Sequence, residues 1–172
     1  DSRNFDPDAL REAVAYAHRF GVRVHQALNI VTFDREFPAL KDCIRAACDA
    51  GVDALIVQDW GVAAAVKALA PSMPLHASTQ MAIHSPEGVR AAGELGFSRV
   101  VLARELSREE IAAIRSSTSL ELEVFVHGAH CMSVSGQCYL SAMLGGKSGN
   151  RGRCAQPCRL PFSAGCPGVP KA

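Results

Sequence analysis

The sequence has few aromatic residues and no long apolar run. Aromatic residues make up 6% of the 172 residues, and Trp60 is the single tryptophan. No apolar stretch reaches the roughly 20 residues that are needed to span a bilayer. The N-terminal stretch DSRNFDPDAL also lacks the features of a signal peptide. We therefore expect a cytoplasmic protein with no membrane contact.

Excess charge of one sign is also missing. Lysine and arginine number 18 against 17 acidic residues, which gives a net charge of +1. With this balance the chain has no excess positive charge that would attract nucleic acid, so we expect no DNA partner. Contact with RNA would need a local basic patch. One patch comes late in the chain: Lys147, Arg151, Arg153 and Arg159. These side chains suit the carboxylates of a small anion or an RNA backbone, or they are solvated loop charges.

The HExxH motif of zinc metalloproteases is absent, whereas cysteine is plentiful. In a reducing compartment, seven cysteines point to metal binding or catalysis more than to disulfides. Cys43 and Cys48 lie in an apolar helical pattern and are expected to be buried and inert. The other five lie between residues 131 and 166.

Helix and strand patterns alternate five times along the chain. Asp6 predicts one helix N-cap, and Ser107 with Glu110 predicts a capping box. The expected helices cover about 6–21, 36–50, 62–70, 85–96 and 107–115, and the expected strands cover 22–31, 53–59, 74–80, 98–104 and 120–128. Such alternation favours a parallel sheet with right-handed crossovers.

Polar residues cluster where the predicted strands end. The positions are Asn29, Gln58, Asp59, Ser78, Thr79, Gln80, Arg104, Glu105 and His127. In the fifth strand, Leu122, Val124 and Val126 are expected to face the helices, with Glu123, Phe125 and His127 on the other face. In the third, His76, Ser78 and Gln80 are expected to share one face. An open doubly wound sheet would be apolar on both faces, so a TIM-type (β/α) barrel is favoured.

Five βα units are too few for a full barrel of about 250 residues. We therefore expect a partial α/β barrel, in a fragment or a shortened protein that lacks two early strands and the eighth. The expected domains are a barrel part over 1–128 and a cysteine-rich loop region with an irregular tail over 129–172.

Four cysteines after the last predicted strand are spaced C-x6-C-x15-C-x3-C. They are Cys131, Cys138, Cys154 and Cys158. Structural zinc sites usually use pairs of C-x2-4-C knuckles, and only the second pair has that form. Iron–sulfur clusters accept wider spacing, so the pattern favours iron–sulfur over zinc. Free or redox-active thiols are the alternative.

The stretch EVFVHGAHCMSVSGQCYLS, residues 123–141, resembles the signature of peptidase family U32, the collagenase-like peptidases. The matching positions are Glu123, Phe125, Gly128, Ala129, Cys131, Gly136, Cys138, Leu140 and Ser141. His130 departs from the pattern, because the family usually has an aliphatic residue there. The resemblance extends to ALNI, HASTQ, LARELS and GNRGRCAQPCR, and it covers about residues 5–162.

The resemblance implies a TIM-type barrel and, in some members, an oxygen-sensitive 4Fe-4S cluster used in oxygen-independent hydroxylation. The implied substrates are a tRNA uridine, an rRNA cytidine or a ubiquinone precursor, with prephenate as oxygen donor. Cys131, Cys138 and Cys154 match cluster ligands. The family's fourth ligand often lies further downstream, and Cys158 is a possible substitute. A second family member is a possible heterodimer partner.

The resemblance and the residues together suggest roles for individual side chains. His127 and Glu123 are candidates for proton transfer or substrate orientation. The alternative is a structural role, in which His127 has its hydrogen bonds within the protein and Glu123 forms an ion pair with Arg104. The candidate substrate-binding residues are Asn29, His76, Ser78, Gln80, Arg104, Glu105, Arg151 and Arg153.

Hydroxylation of an RNA base is the favoured function. A cysteine peptidase using Cys131 with His127 or His130 is one alternative. A ubiquinone-precursor hydroxylation factor and a zinc-stabilised RNA-binding module are the others.

Overall fold

The computed structural model describes residues 4–129 and 131–162. His130 and Cys166 lie outside this part of the chain, as does the predicted tail from residue 163 onward. The fold is α/β, with five parallel strands that lie side by side in the order in which they occur in the chain. They are β1 (His25–Leu28), β2 (Ala54–Val57), β3 (Leu75–Ala77), β4 (Arg99–Val101) and β5 (Glu121–Glu123).

A helix precedes the first strand, and one follows each strand. The helices are α1 (Pro7–His18), α2 (Phe37–Ala50), α3 (Trp60–Leu69), α4 (Pro86–Glu94), α5 (Arg108–Ser117) and α6 (Leu140–Gly145). None of the helices in the described ranges is long and apolar enough to cross a membrane.

Local capping determines where several helices begin and end. The Asp6 side chain accepts a hydrogen bond of 2.8 Å from the backbone N–H of Ala9, as expected for the N-cap of α1. The predicted capping box of α5 is also present, because Ser107 and Glu110 each accept from the other's backbone N–H. At the end of α2, Gly51 has φ of 78°, a value that favours glycine.

One face of the sheet forms the core against the helices. A row of paired residues, Leu28, Val57, Ala77, Val100 and Leu122, crosses all five strands and belongs to the core or packs on it. Helices α1 to α5 contribute to the same core through Val14, Ile44, Val66, Val89 and Ile114. Because the helices cover a single face, the sheet is consistent with part of a TIM-like barrel.

The opposite face of the sheet carries polar residues. Its central row runs through His76, Arg99 and Glu121 on β3, β4 and β5. The expectation that Leu122 faces the helices is confirmed, since Leu122 packs on the core. By the alternation of a strand, Glu123 faces the other way, and its carboxylate lies 3.3 Å from Arg99.

The strands are shorter than the sequence predicts. β5 ends at Glu123, so Val124 and Val126 are exposed and do not face the helices. β3 ends at Ala77, and Gln80 lies in a single 3-10 turn that follows. The expected burial of Cys48 is also wrong: it is exposed on α2, whereas Cys43 is half-buried.

Candidate functional site

The side chains that follow the first three strands lie close together. Asn29, Gln58 and Ser78 come directly after β1, β2 and β3. The amide of Asn29 donates to the hydroxyl of Ser78 at 3.4 Å, and the same hydroxyl accepts from the backbone N–H of Gln80 at 3.2 Å. Ser78 is only 2% exposed. The predicted clustering at the carboxyl ends of the strands is therefore present.

A cavity of about 330 Å³ opens at this edge of the sheet. It is lined by Val31, Gln58, Asp59, Trp60, Gln80, Met81, Gly136 and Gln137. We call it the edge cavity. Residues 131–138, the cysteine loop, form one of its walls through Gly136 and Gln137. The arrangement brings the ends of the strands and the cysteine loop into one concave site, which is where barrel enzymes place their chemistry.

Arg104 and Glu105 hold the cysteine loop in place. The Arg104 guanidinium donates to the carbonyl oxygens of Cys131 and Ser133, each at 2.9 Å. The Glu105 carboxylate accepts from the backbone N–H of Ser135 at 2.9 Å and from its hydroxyl at 3.2 Å. The sequence predicts that both residues bind substrate. Their contacts in this structure are with the protein, so they position the loop.

Gly136 is the point where the cysteine loop touches the turn after β3. Its backbone has φ of +72°, and a Cβ atom at this position would lie 2.0 Å from the carbonyl oxygen of Gln80. Only glycine fits such a close approach without moving the backbone. The signature glycine thus has a structural reason, which is the fit of the loop against Gln80.

The late basic segment is fastened to the loop between β1 and α2. Arg151 forms a two-pronged ion pair with Glu36, at 2.5 and 2.9 Å, and its guanidinium lies 4.3 Å from the centre of the Phe33 ring. The hydrogen bond from Arg151 holds the pKa of Glu36 down at about 2, with help from the backbone N–H of Phe33. The sequence predicts an anionic substrate for Arg151, but its anion here is Glu36.

The remaining predicted basic residues differ in their surroundings from Arg151. Lys147 and Arg153 are both exposed at the surface. Arg153 and Arg159 both take part in further interactions within the protein. The described structure therefore brings no cluster of these four side chains to the edge cavity, whose lining contains none of them.

His76 lies on the face of the sheet that points away from the helices. Its ring meets that of His25 edge to face, with 4.7 Å between ring centres. Burial lowers the pKa of His76 to about 4, and the positive charge of Arg99 contributes to the shift. His76 is therefore neutral at pH 7. His76 does not line the edge cavity. Its role in substrate binding therefore stays a prediction.

Glu123 and His127 do not form a pair in this structure. Glu123 lies 3.3 Å from Arg99, which also binds Glu121, so the expected partner Arg104 is wrong. His127 is exposed, four residues after the end of β5, and does not project from a strand. Their assignment as catalytic residues stays a prediction.

The four predicted ligand thiols belong to the cysteine loop and the segment after α6, but they are not assembled. Cys131, Cys154 and Cys158 are exposed and Cys138 is half-buried. Within residues 4–129 and 131–162, no three His, Cys, Asp or Glu side chains come together so that they could hold a metal ion. In this conformation the thiols do not fit a cluster as a ready ligand set, and metal binding stays a prediction.

Sequence reasoning missed the short helix α6 and its contact with the second cysteine pair. The hydroxyl of Ser141 on α6 is buried and accepts from the backbone N–H of Ala155 at 2.9 Å. This bond ties the residues after Cys138 to the segment between Cys154 and Cys158. The C-cap glycine Gly146, with φ of 66°, was the local signal for the end of this helix.

Comparison with known proteins gives several relatives. The chain is 42% identical over 154 residues to the 23S rRNA 5-hydroxycytidine C2501 synthase of Escherichia coli, a match covering 90% of this chain and 23% of that protein. It is 35% identical over 159 residues to tRNA hydroxylation protein P1 of Bacillus subtilis, covering 92% and 38%. A collagenase of Porphyromonas gingivalis is 34% identical over 173 residues, covering 94% and 41%. The chain thus spans about a quarter to two fifths of the length of these relatives.

One solved structure shares the fold. The structure of the U32 peptidase Mk0906 aligns with a TM-score of 0.58 at 24% identity, over 71% of this chain and 53% of that chain. At this identity, the likeness supports the fold alone. A family model described as Peptidase family U32 matches residues 1–168. The chain therefore belongs to Peptidase family U32.

Proposed function

We propose that this chain is part of an enzyme that hydroxylates a pyrimidine base in RNA. The observation that carries the proposal is the 42% identity to an rRNA 5-hydroxycytidine synthase, over 90% of this chain. The relation to a tRNA hydroxylation protein of a different bacterium supports the same class of reaction. The edge cavity supplies a concave polar site of suitable size for one small ring system.

The proposal includes a 4Fe-4S cluster bound through Cys131, Cys138 and Cys154, with Cys158 as a fourth thiol and zinc as the alternative metal. This part rests on the spacing of the cysteines and on the family resemblance. Among the described residues, the thiols are not assembled into a ligand set in this conformation. Prephenate as oxygen donor and a heterodimer partner rest on the resemblance alone.

Residues of this chain have defined tasks in the proposal. Gln58, Gln80 and Trp60 line the edge cavity, and Trp60 is 56% exposed. Arg104 and Glu105 keep the cysteine loop against this site. In the proposal, the substrate base lies in the edge cavity beside the cysteine loop.

The proposal is tested by analysing RNA from cells that lack the protein. Nucleosides from total tRNA and rRNA are separated and identified by mass spectrometry, before and after the gene is restored. We expect one hydroxylated pyrimidine to disappear in the deletion and to return with the wild-type gene. Unchanged hydroxylated pyrimidines in both RNA fractions would refute the proposed reaction.

The metal part has its own measurement. Protein prepared without oxygen is analysed for iron, acid-labile sulfide and zinc, next to the variants Cys131→Ser and Cys48→Ser. Iron and sulfide that fall in Cys131→Ser and stay in Cys48→Ser support a cluster. Zinc without sulfide supports the zinc alternative, and protein free of both metals contradicts metal binding.

A collagenase-like peptidase is the second candidate, because the Porphyromonas gingivalis collagenase is 34% identical. Of the two histidines proposed to activate Cys131, His127 is exposed and outside a strand, and His130 lies outside the described residues. Cleavage of gelatin that is lost in Cys131→Ser and kept in Cys154→Ser would favour this candidate.

A further inference from the structure

Ser78 is the centre of a small hydrogen-bond network at the carboxyl end of β3. Its backbone N–H donates to the carbonyl oxygen of Val57, the last residue of β2, at 2.8 Å. Its hydroxyl accepts from the amide of Asn29, which follows β1, and from the backbone N–H of Gln80, at 3.4 and 3.2 Å. Only 2% of Ser78 is exposed. The residue thus joins the ends of three strands to the turn that follows β3.

This turn, residues 78–82, is called the β3 turn, and contacts at both of its ends determine its shape. The Thr79 hydroxyl donates to the carbonyl oxygen of Leu102, the residue after β4, at 3.1 Å. At the far end of the turn, Ala82 has φ of +54° and ψ of +37°. This left-handed conformation is unfavourable for a residue with a Cβ atom, and it persists where the surrounding structure imposes it. The β3 turn is therefore a held element.

The cysteine loop lies directly on the backbone of the β3 turn. A Cβ atom at Gly136 would lie 2.0 Å from the carbonyl oxygen of Gln80 and 3.0 Å from its Cα atom. Two backbone segments that approach so closely have no side chain between them that could adjust. A displacement of Gln80 therefore requires a displacement of Gly136. Because the N–H of Gln80 is bound to Ser78, the serine hydroxyl determines where this contact forms.

The cysteine loop has a second support at the end of β4. Arg104 binds two of its carbonyl oxygens, and Glu105 binds the backbone N–H of Ser135. These contacts hold the residues before Gly136. The contact with the β3 turn holds Gly136 itself, which lines the edge cavity together with Gln80. The position of the β3 turn therefore affects the wall that the loop contributes to this cavity.

We infer that Ser78 is a positioning residue for the cysteine loop. It acts through the backbone of Gln80 and sets the place of Gly136, and with it one wall of the edge cavity. The sequence predicts that Ser78 binds substrate, whereas this task needs no contact with substrate. The inference goes beyond the proposed function, because it concerns how the loop is held and does not depend on the reaction.

The variant Ser78→Ala removes the shared acceptor and leaves the backbone contacts in place. Hydrogen–deuterium exchange, measured by NMR on the whole chain, follows three backbone N–H groups. That of Gln80 loses its partner, and those of Ser135 and Gln137 report on the cysteine loop, where they donate to Glu105 and to a carbonyl oxygen of the loop. We expect all three to exchange at least about tenfold faster than in the wild type.

The thiol of Cys138 gives a second measurement, since it lies two residues after Gly136 and is half-buried. Iodoacetamide should modify Cys138 at least about fivefold faster in Ser78→Ala, because a displaced loop gives the reagent better access. Cys43, which is half-buried on α2, should react at an unchanged rate. Mass spectrometry of the digested protein measures both rates in one sample. A general loss of stability would raise both rates together.

The matched control is Ser98→Ala. The Ser98 hydroxyl also forms a bond within the sheet, to the carbonyl oxygen of Leu75 at 3.2 Å. This bond lies at the amino ends of β3 and β4, opposite to the cysteine loop. The substitution should leave the exchange of Ser135 and Gln137 unchanged. Urea unfolding of both serine variants compares their effects on overall stability.

A second variant changes the β3 turn without changing Ser78. Thr79→Val keeps the shape of the side chain and removes its hydrogen bond to Leu102. The turn then loses its connection to β4, so the Ser135 and Gln137 amides should again exchange faster, by about fivefold. This variant tests the step from turn to loop even if Ser78→Ala fails to fold.

Each result has a defined meaning. Faster exchange and alkylation that are confined to the β3 turn and the cysteine loop support the inference. Unchanged exchange of the loop amides in folded Ser78→Ala or Thr79→Val would overturn it, because the turn would then move without the loop. Equal acceleration in Ser98→Ala, or of Cys43 together with Cys138, would also overturn it, because the effect would be global. Analysis of cellular RNA judges the proposed reaction separately.

Discussion

The guanidinium of Arg104 lies 2.9 Å from the carbonyl oxygen of Cys131, although the two residues are 27 positions apart in the chain. A second nitrogen of the same guanidinium donates to Ser133. Charged donors form the stronger hydrogen bonds in proteins. Arg104 therefore fixes the backbone that carries the first cysteine of the signature.

Replacing Arg104 should release the cysteine loop. The Arg104→Gln variant loses both hydrogen bonds. Because these bonds involve a charged group, we expect the local stability of the cysteine loop to fall by about 1.5–3 kcal/mol. We expect hydrogen–deuterium exchange of the Ser135 amide to become at least about tenfold faster. Arg108→Gln, an exposed arginine in the first turn of α5, is the control and should leave exchange in the loop unchanged.

Gly136→Ala should destabilise the protein because the added methyl group meets backbone, not a movable side chain. The contact with the Gln80 carbonyl oxygen would be 2.0 Å, and φ of +72° adds strain. We expect a loss of about 2–4 kcal/mol, combining about 1 kcal/mol for the positive φ and about 1–3 kcal/mol for the overlap, measured by urea unfolding.

Gly146→Ala is the matched control, since Gly146 also has a positive φ, of +66°. Apart from its neighbours in the chain, a methyl group added there would meet no atom of the described residues within 4 Å. The substitution should cost only the strain of about 1 kcal/mol. Equal losses in the two variants would show that the close approach of Gly136 to Gln80 has no energetic importance.

The Glu36–Arg151 ion pair predicts a pH-dependent contribution to stability. Arg151 holds the pKa of Glu36 at about 2, below its ordinary 4.5. A lowered pKa in the folded state means that the stabilisation is complete above about pH 4.5 and is lost as the pH falls towards 2. The difference in unfolding midpoint between wild type and Glu36→Gln should therefore be largest near neutral pH and shrink below pH 4.5.

Asp42→Asn tests whether this effect is specific. Asp42 also pairs with an arginine, Arg45, at 3.0 Å, but both side chains are largely exposed. Exposed pairs contribute little, so its midpoint should follow that of the wild type at every pH. A pH-independent difference for Glu36→Gln would contradict the role of its charge.

His76 should make the protein less stable in mild acid. Burial lowers its pKa to about 4, from an ordinary 6.5. Between these values the unfolded chain binds a proton and the folded chain does not, so stability falls as the pH drops from about 6.5 to 4. In His76→Gln this contribution disappears, and the slope of unfolding free energy against pH should flatten in that window. The exposed His84, changed to Gln, should leave the slope as it is.

Two cysteines of α2 should differ in their reactivity. Desolvation raises the pKa of the Cys43 thiol, which also accepts a hydrogen bond from Gln26 at 3.5 Å, whereas Cys48 is exposed. The thiolate is the reactive form, so iodoacetamide should alkylate Cys48 at least about tenfold faster than Cys43 at about pH 7.5. Mass spectrometry of the digested protein measures both rates in one sample. Equal rates would mean that Cys43 is not shielded.

Local signals explain what the sequence predicts well. The caps of α1 and α5 depend on residues three positions apart, and both are present. The clustering of polar residues after the strands is predictable because parallel strands all end at the same edge. The sequence overestimates the lengths of β3 and β5, since the strand-like alternation of side chains continues past the last paired residue.

Contacts across the chain explain what the sequence does not reveal. An anionic ligand is the sequence-based expectation for Arg151, and its actual partner Glu36 is 115 positions away. Arg104 and Glu105 are expected to meet substrate, but they hold residues 27 to 30 positions further on. The residue type of each arginine predicts that its partner is an anion or a carbonyl group. Which group it meets is decided only when the loops are brought together in space.

The order of the strands has a practical consequence for handling this chain. β1 and β5 are the outer strands of the described sheet, so each presents one row of backbone N–H and C=O groups with no neighbouring strand there. Such rows attract other polypeptides, and the three- and four-residue length of these strands limits but does not remove the attraction. Self-association at high concentration is therefore expected to begin at these two borders.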